Sequence, residues 1–273
     1  MKVQSWFVGE FLGAFLLVFF GCGSVCAAVF TGAQVGIVQI AIVWGVGIAV
    51  AIYLTSSLSG AHLNPAVTIA FAVFSGFPLR RVPGYLVAQL LGAFFAAMVL
   101  HGIFGSMITD YESSKGLTRG AAGSEASAMV YGEYFPNPGG EVLTPQQKET
   151  ITLPRAFFIE CVGTAVLLLV ICGLTDRKNK GRSDHLNPIL IGLTVTLLIS
   201  LLAPLTQAGF NPARDLGPRL FSALAGWKEI PFTTNGSGWW LVYLVAPTCG
   251  GLLGAGLHRV FLARAYESSA DPR

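Results

Sequence analysis

Charge is what this sequence most lacks. Between Glu10 and Arg80 run 69 residues without a single Asp, Glu, Lys or Arg, and three further gaps of 28 or 29 residues separate Arg81 from Asp110, Asp184 from Arg214, and Glu229 from Arg259. Charged residues make up 11% of the 273, where a soluble globular domain carries about 25%. That shortage excludes an ordinary soluble enzyme. A membrane-crossing helix needs about 20 apolar residues, and each gap can supply at least one. The chain therefore reads as a polytopic membrane protein. Its net charge of +3 is small and its Lys and Arg residues form no stripe, which argues against a nucleic-acid partner. Cysteine is also scarce. Cys22, Cys26, Cys161, Cys172 and Cys249 all fall in apolar stretches without metal-ligand spacing, as expected of small buried hydrophobes. The histidines are scattered, so neither a metal nor a cofactor is expected.

Six spans can be placed, at roughly 6–30, 35–56, 83–106, 153–175, 187–205 and 238–262. The first resembles a signal peptide in outline, but Glu10 interrupts its apolar region, so it is kept as a span. Two further apolar segments, about 65–75 and 212–223, reach only half the bilayer at the helical rise of about 1.5 Å per residue. They read as half-helices. Orientation follows from the Lys/Arg bias. Ten basic residues (Lys2, Arg80, Arg81, Arg177, Lys178, Lys180, Arg182, Arg259, Arg264 and Arg273) fall on one side and five on the other, which places both termini in the cytoplasm of a multi-pass inner-membrane protein. The polar stretch 107–152 is then an extracytoplasmic loop, and 264–273 a cytoplasmic tail.

The two halves, 1–106 and 153–263, repeat. Glu10 and Gly13 recur as Glu160 and Gly163, Asn64-Pro65-Ala66 as Asn211-Pro212-Ala213, and the run from Tyr85 to Ala88 as Tyr243 to Ala246. The offsets are 150, 147 and 158 residues, in one order along the chain. Each half holds three spans, an odd number, so the second half enters the membrane from the opposite side. Such inverted repeats place a substrate path near the midplane.

Asn is a preferred N-cap and Pro is favoured at the first helical position, so each Asn-Pro-Ala marks the start of a half-helix. In an inverted repeat the two starts meet at mid-membrane, and their positive dipole ends converge. With the Asn oxygens engaged as caps, the amide NH2 groups are left as donors facing that point. The segments just before them, Gly60-Ala61-His62-Leu63 and Gln207-Ala208-Gly209-Phe210, must be non-helical. Unpaired carbonyls at this depth are tolerable only where they line a wet cavity. A ladder of acceptors leading to two donors is a track for neutral hydroxylated solutes that repels cations and protons.

The stretches Ser59–Thr68 and Gly209–Arg219 resemble the signature loops of the major intrinsic protein (aquaporin) family, and Asp215 after Arg214 resembles its aquaglyceroporin branch, that of the glycerol uptake facilitators. The likeness runs from Glu10 to about Arg259. It implies an all-α membrane fold of six transmembrane helices and two re-entrant half-helices, a homotetramer in the lipid bilayer, and one pore per subunit for glycerol, water and other small neutral solutes. It also implies a selectivity filter at Trp44, Ile199, Ala208 and Arg214, in which the indole forms an apolar wall opposite the guanidinium. Here the chain departs from the best-known glycerol facilitators: their filter Phe falls on Ala208 and their filter Gly on Ile199. The resulting set resembles that of plant nodulin-like intrinsic proteins and suggests passage of solutes bulkier than glycerol.

Arg214 is the lone charge in its stretch, and a charge at that depth is by default functional. Asp215 marks the glycerol branch and can pair with Arg219, four residues on. Glu10 and Glu160 are intramembrane acids at equivalent positions; proton relay is the sharper reading, but acceptance of hydrogen bonds from the non-helical backbone is favoured. A water-selective channel and an ion-coupled secondary transporter are the alternatives. The transporter would need an ion site beyond two structural acids, and an enzyme would need a catalytic constellation that the spans lack.

Overall fold

The computed structural model describes residues 4–34, 36–139 and 143–270. Lys2 and Arg273 of the charge tally, and the end of the tail, lie outside them. Among the described residues six helices are long and apolar enough to cross a membrane. In chain order the main elements are α1 (Ser5–Cys26), α2 (Ile37–Ser59), the half-helix α3 (Pro65–Phe74), α4 (Val82–Ser114), α5 (Leu153–Thr175), α6 (Asn187–Thr206), the half-helix α7 (Pro212–Ser222), α8 (Ala246–Leu257) and α9 (Ala263–Ala270). Helical turns on both sides of α8 extend the sixth span to Gly238–Ser268. The fold is an all-α membrane bundle. The chain is a multi-pass membrane protein.

α4 runs beyond the apolar stretch on which its end was placed. Its last turns carry Asp110 and Glu112, and Glu112 is buried against Arg119 (2.8 Å) and the Ser127 hydroxyl (2.7 Å). Hydropathy ends where the charge begins, but the helix continues because that charge is paired within the protein. The cysteine expectation also needs correction. Cys249 is exposed and Cys161 half-buried, since a span surrounded by lipid need not hide its apolar residues from the protein surface.

Small residues let the helices approach. A Cβ added to Gly192 would sit 2.2 Å from the Gly45 carbonyl oxygen, and one on Gly45 would sit 2.5 Å from that of Gly192. These two glycines, 147 apart like the two Asn-Pro-Ala elements, bring α2 and α6 into backbone contact across the repeat axis. Within each repeat the same device recurs: a Cβ added to Gly92 would sit 2.2 Å from the Phe11 carbonyl oxygen, and one on Gly250 2.1 Å from that of Cys161. Lipid tails are as apolar as leucine, so close backbone packing of this kind, rather than a hydrophobic drive, holds such helices together.

The segment after α4 is not a free loop. Met129, Val130, Tyr131 and Tyr134 are buried with Ile108, Phe221 and Trp227 in a cluster that closes one end of the bundle. Arg119 stacks 4.4 Å over the Trp227 ring, whose indole N–H donates to Ser127 (2.9 Å).

Gly192→Leu should abolish the monodisperse peak in size-exclusion chromatography of detergent-solubilised protein, because overpacking costs about 1–3 kcal/mol even where neighbours can move, and here the obstacle is backbone. Gly102→Leu, at an exposed position where a Cβ meets nothing within 4 Å, should leave the peak intact.

Candidate functional site

The two half-helices start as their sequences require. Asn64 Oδ1 accepts from the Ala66 N–H (2.8 Å), and Asn211 Oδ1 from those of Ala213 (3.0 Å) and Arg214 (3.2 Å), with Pro65 and Pro212 opening the helices. The side-chain amides are not wholly free. Asn64 Nδ2 donates to the Phe210 carbonyl and Asn211 Nδ2 to the Leu63 carbonyl, each at 2.9 Å. Each amide thus spends one hydrogen on tying the two repeats together and keeps the other. The sequence-based expectation of unengaged NH2 groups overlooked this reciprocity.

The segments ahead of the caps are held in an unusual backbone state. Gly60, Ala61, Leu63, Gln207, Ala208 and Phe210 all have φ between 50° and 85°. For residues with a Cβ this left-handed region is uncommon, and it persists only where the surroundings impose it. Here they do. Glu10 accepts from the N–H groups of His62 (3.0 Å) and Leu63 (2.8 Å), and Glu160 from those of Gly209 (3.0 Å) and Phe210 (2.8 Å). Tyr85 donates to the Ser59 carbonyl (2.7 Å), and Tyr243 to that of Thr206 (3.0 Å). Gln89 and Thr206 complete the coordination of Glu10 and Glu160 respectively, each at 2.6 Å. Donors of the broken backbone therefore point into the protein. Among the described residues, the carbonyls of Gly60, Ala61, His62, Ala208 and Gly209 accept no hydrogen bond from the protein.

Those residues line a cavity of about 240 Å³ that also takes in Leu63, Asn64, Phe210, Asn211, Trp44, Ile199 and Arg214. Gln207, placed on the track by sequence, is not among the lining residues. Its side chain instead clamps the segment after α4, accepting from the Tyr134 N–H (2.8 Å) and donating to the Met129 carbonyl (3.1 Å). His62 lines the cavity with its ring packed edge-on against Phe71 and Phe77 and its Nδ1 3.2 Å from the Thr68 hydroxyl.

Arg214 is buried in the wall of this cavity, and its guanidinium is stacked on Trp44 rather than set across from it. Its Cζ lies 4.5 Å from the Trp44 ring centroid, a cation–π stack. Behind Arg214 lies a residue that sequence reasoning missed. Glu133, fully buried, places Oε1 2.5 Å from Arg214 Nη2, while the Tyr131 carbonyl accepts from Nη1 at 2.8 Å. Asp215 accepts two hydrogen bonds from Arg219, each at 2.8 Å, and a third from the Glu133 N–H at 2.7 Å. Arg219 also donates to the carbonyls of Glu133 and Pro231. Only the unusual burial of a long polar segment would have hinted at Glu133, and burial is not visible in composition.

Glu10→Gln should lower the yield of folded protein more than it alters the solute selectivity of what folds, as measured by size-exclusion chromatography and liposome flux. Glu160→Leu should be more severe, since it strands the Gly209 and Phe210 N–H groups at about 1–3 kcal/mol each.

Residues 1–258 match the family model for the major intrinsic protein. The glycerol uptake facilitator protein of Pseudomonas aeruginosa is 43% identical over 266 residues, covering 97% of this chain and 91% of that protein. The corresponding protein of Escherichia coli K12 is 40% identical over 258 residues, with coverage of 94% and 88%. A propanediol uptake facilitator of Citrobacter freundii is 38% identical over 265 residues, with coverage of 97% and 93%. Among solved structures, the aquaglyceroporin from Plasmodium falciparum superposes with a TM-score of 0.82 at 29% identity, covering 97% of this chain and 98% of that one. Inverted repeat, paired helix starts and whole-length similarity agree: the chain belongs to the major intrinsic protein family, in its aquaglyceroporin branch.

Proposed function

We propose that this protein is a passive channel that conducts glycerol and other small neutral polyols, together with water, across the membrane. One observation carries the reading: two capped helix starts meet in a cavity whose wall beside them presents the unpaired backbone carbonyls of Gly60, Ala61, His62, Ala208 and Gly209. A hydroxylated solute can donate to those carbonyls and accept from the second N–H of Asn64 or Asn211 while it sheds water. The converging helix N-termini set a positive potential there, which opposes cations and protons but leaves neutral solutes unaffected. Nothing in this design requires a coupling ion or a chemical step.

Trp44, Ile199, Ala208 and Arg214 form the selectivity filter in this proposal. Arg214 supplies donors to solute hydroxyls, and the other three supply carbon surface. The charge bias supports an orientation with both termini in the cytoplasm and the filter on the extracytoplasmic side, near residues 107–152. The outward apolar faces of α2 and α6, with Val46, Val50, Leu193, Leu197 and Leu201 exposed, meet lipid or neighbouring subunits of a homotetramer. The similarity to propanediol facilitators, together with Ala208, favours a tolerance for polyols beyond glycerol.

Stopped-flow light scattering on proteoliposomes tests this directly, with water, glycerol, urea and larger polyols as solutes. Solute flux should exceed that of empty liposomes and persist without any ion gradient; flux equal to empty liposomes would overturn the reading. Ala208→Phe should cut the flux of larger polyols more than that of glycerol. If it changes both equally, Ala208 does not set the size limit.

A further inference from the structure

Glu133 has no part in the chemistry so far described, yet its setting is specific. It lies outside the repeats, on the segment that follows α4, and it does not line the cavity. Its main chain is clamped by one buried ion pair: the N–H donates to Asp215, and the carbonyl accepts from Arg219. Its side chain is left for one partner. Both carboxylate oxygens are buried without a hydrogen bond in good alignment, and Arg214 Nη2 lies 2.5 Å from Oε1. A buried carboxylate left this short of hydrogen bonds is costly unless a charge compensates it. Here that charge is the guanidinium at the constriction.

We infer that Glu133 is a positioning residue for the filter: it draws the Arg214 guanidinium back against the wall and cancels its charge, and so sets how wide and how polar the constriction is. Three contacts fix the guanidinium, namely Glu133, the Tyr131 carbonyl and the Trp44 ring face. Of these only Glu133 can carry charge. Without its carboxylate, Arg214 becomes a buried cation facing a wet cavity, and hydration pulls it toward the lumen. A narrower lumen penalises a carbon-bearing solute more than water. The inference rests on the proposal that Arg214 belongs to the selectivity filter.

The titratable and charged groups near enough to act on Glu133 are Cys22 on α1, Glu160 on α5, Arg214, Asp215 and Arg219 on α7, and Tyr243 before α8. Burial pushes the Glu133 carboxyl up to about 8, with Arg214 pulling the other way. Above that pH the carboxylate is charged and balances Arg214; below it the carboxyl is neutral and Arg214 is left with a net positive charge. The Gln variant therefore imitates the low-pH form at every pH.

The experiment measures water and glycerol permeability of wild-type, Glu133→Gln, Arg214→Ala and double-variant proteoliposomes from pH 6 to pH 9.5. The wild-type water-to-glycerol ratio should fall as pH rises through about 8. The step should be about two- to tenfold, the factor that corresponds to one hydrogen bond's net worth. Glu133→Gln should hold the wild-type low-pH ratio at all pH values. In the Arg214→Ala background, Glu133→Gln should change nothing further, because Glu133 acts through Arg214. A wild-type ratio that is flat with pH overturns the inference even if no variant can be purified, and so does a step that survives in Glu133→Gln. If Arg214→Ala itself leaves the ratio at the wild-type value, the filter reading falls as well; if Arg214→Ala shifts the ratio while Glu133 has no effect, only the present inference falls.

Discussion

At the centre of this bundle two stretches of backbone must lie unwound at membrane depth, where no bulk water can satisfy them. Glu10 and Glu160 answer that constraint. Each takes two consecutive N–H groups of one broken segment into the protein interior. Because the donors are turned inward, the carbonyls are free to face the cavity, and the left-handed φ values of Ala61, Leu63, Ala208 and Phe210 follow from that division. The conducting surface is thus the unpaired half of a hydrogen-bonding account whose other half is closed by two acids. Charge at these positions is structural, and the stretch of wall built by the two broken segments is lined by neutral dipoles.

The second requirement is that the two halves hold register with each other to within hydrogen-bonding distance. The reciprocal Asn64–Phe210 and Asn211–Leu63 bonds do this at the centre, and the Gly45–Gly192 contact does it between α2 and α6. Both are fixed by the same 147-residue offset, so pairing and packing express one approximate two-fold axis. Packing and polar pairing are coupled in consequence. Separating the helices by one methyl group's thickness would lengthen the amide–carbonyl bonds that align the half-helices.

Much of this was legible in the sequence because it depends on local chemistry or internal comparison. Asn64 and Asn211 announce helix starts by residue type alone, and the match of Glu10 to Glu160 and Tyr85 to Tyr243 needed only the chain laid against itself. What escaped depends on contacts between distant segments. Gln207 belongs to the unwound segment by position, yet its side chain reaches Met129 and Tyr134. Glu133 carries no local signal that links it to Arg214, and the segment around it reads as an ordinary polar loop. Its burial follows from Tyr131 and Tyr134 packing beside it, which hydropathy averages conceal. The end of α4 escaped for a related reason: Glu112 looks solvated until Arg119 and Ser127 are seen around it.

The neighbourhood of Arg214 shows how a cation can sit in a pathway for neutral solutes without making it an anion trap. Arg214, Glu133, Asp215 and Arg219 are all buried and form two pairs, and once Glu133 is ionised the cluster holds two charges of each sign. In a low-dielectric interior an unbalanced member of such a set would dominate the local potential. Balance confines the field of each charge to its neighbours, so Arg214 can offer directional N–H donors at short range while contributing little at long range. On the proposed reading, the barrier to cations is then left to the helix starts, which are fixed by the backbone. In the proposed channel, hydrogen bonding at the filter and ion rejection at the helix starts are separate physical tasks, given to different groups. On the proposed reading, that separation lets side chains such as Ala208 and Ile199 vary the size of the opening without weakening the exclusion of charge.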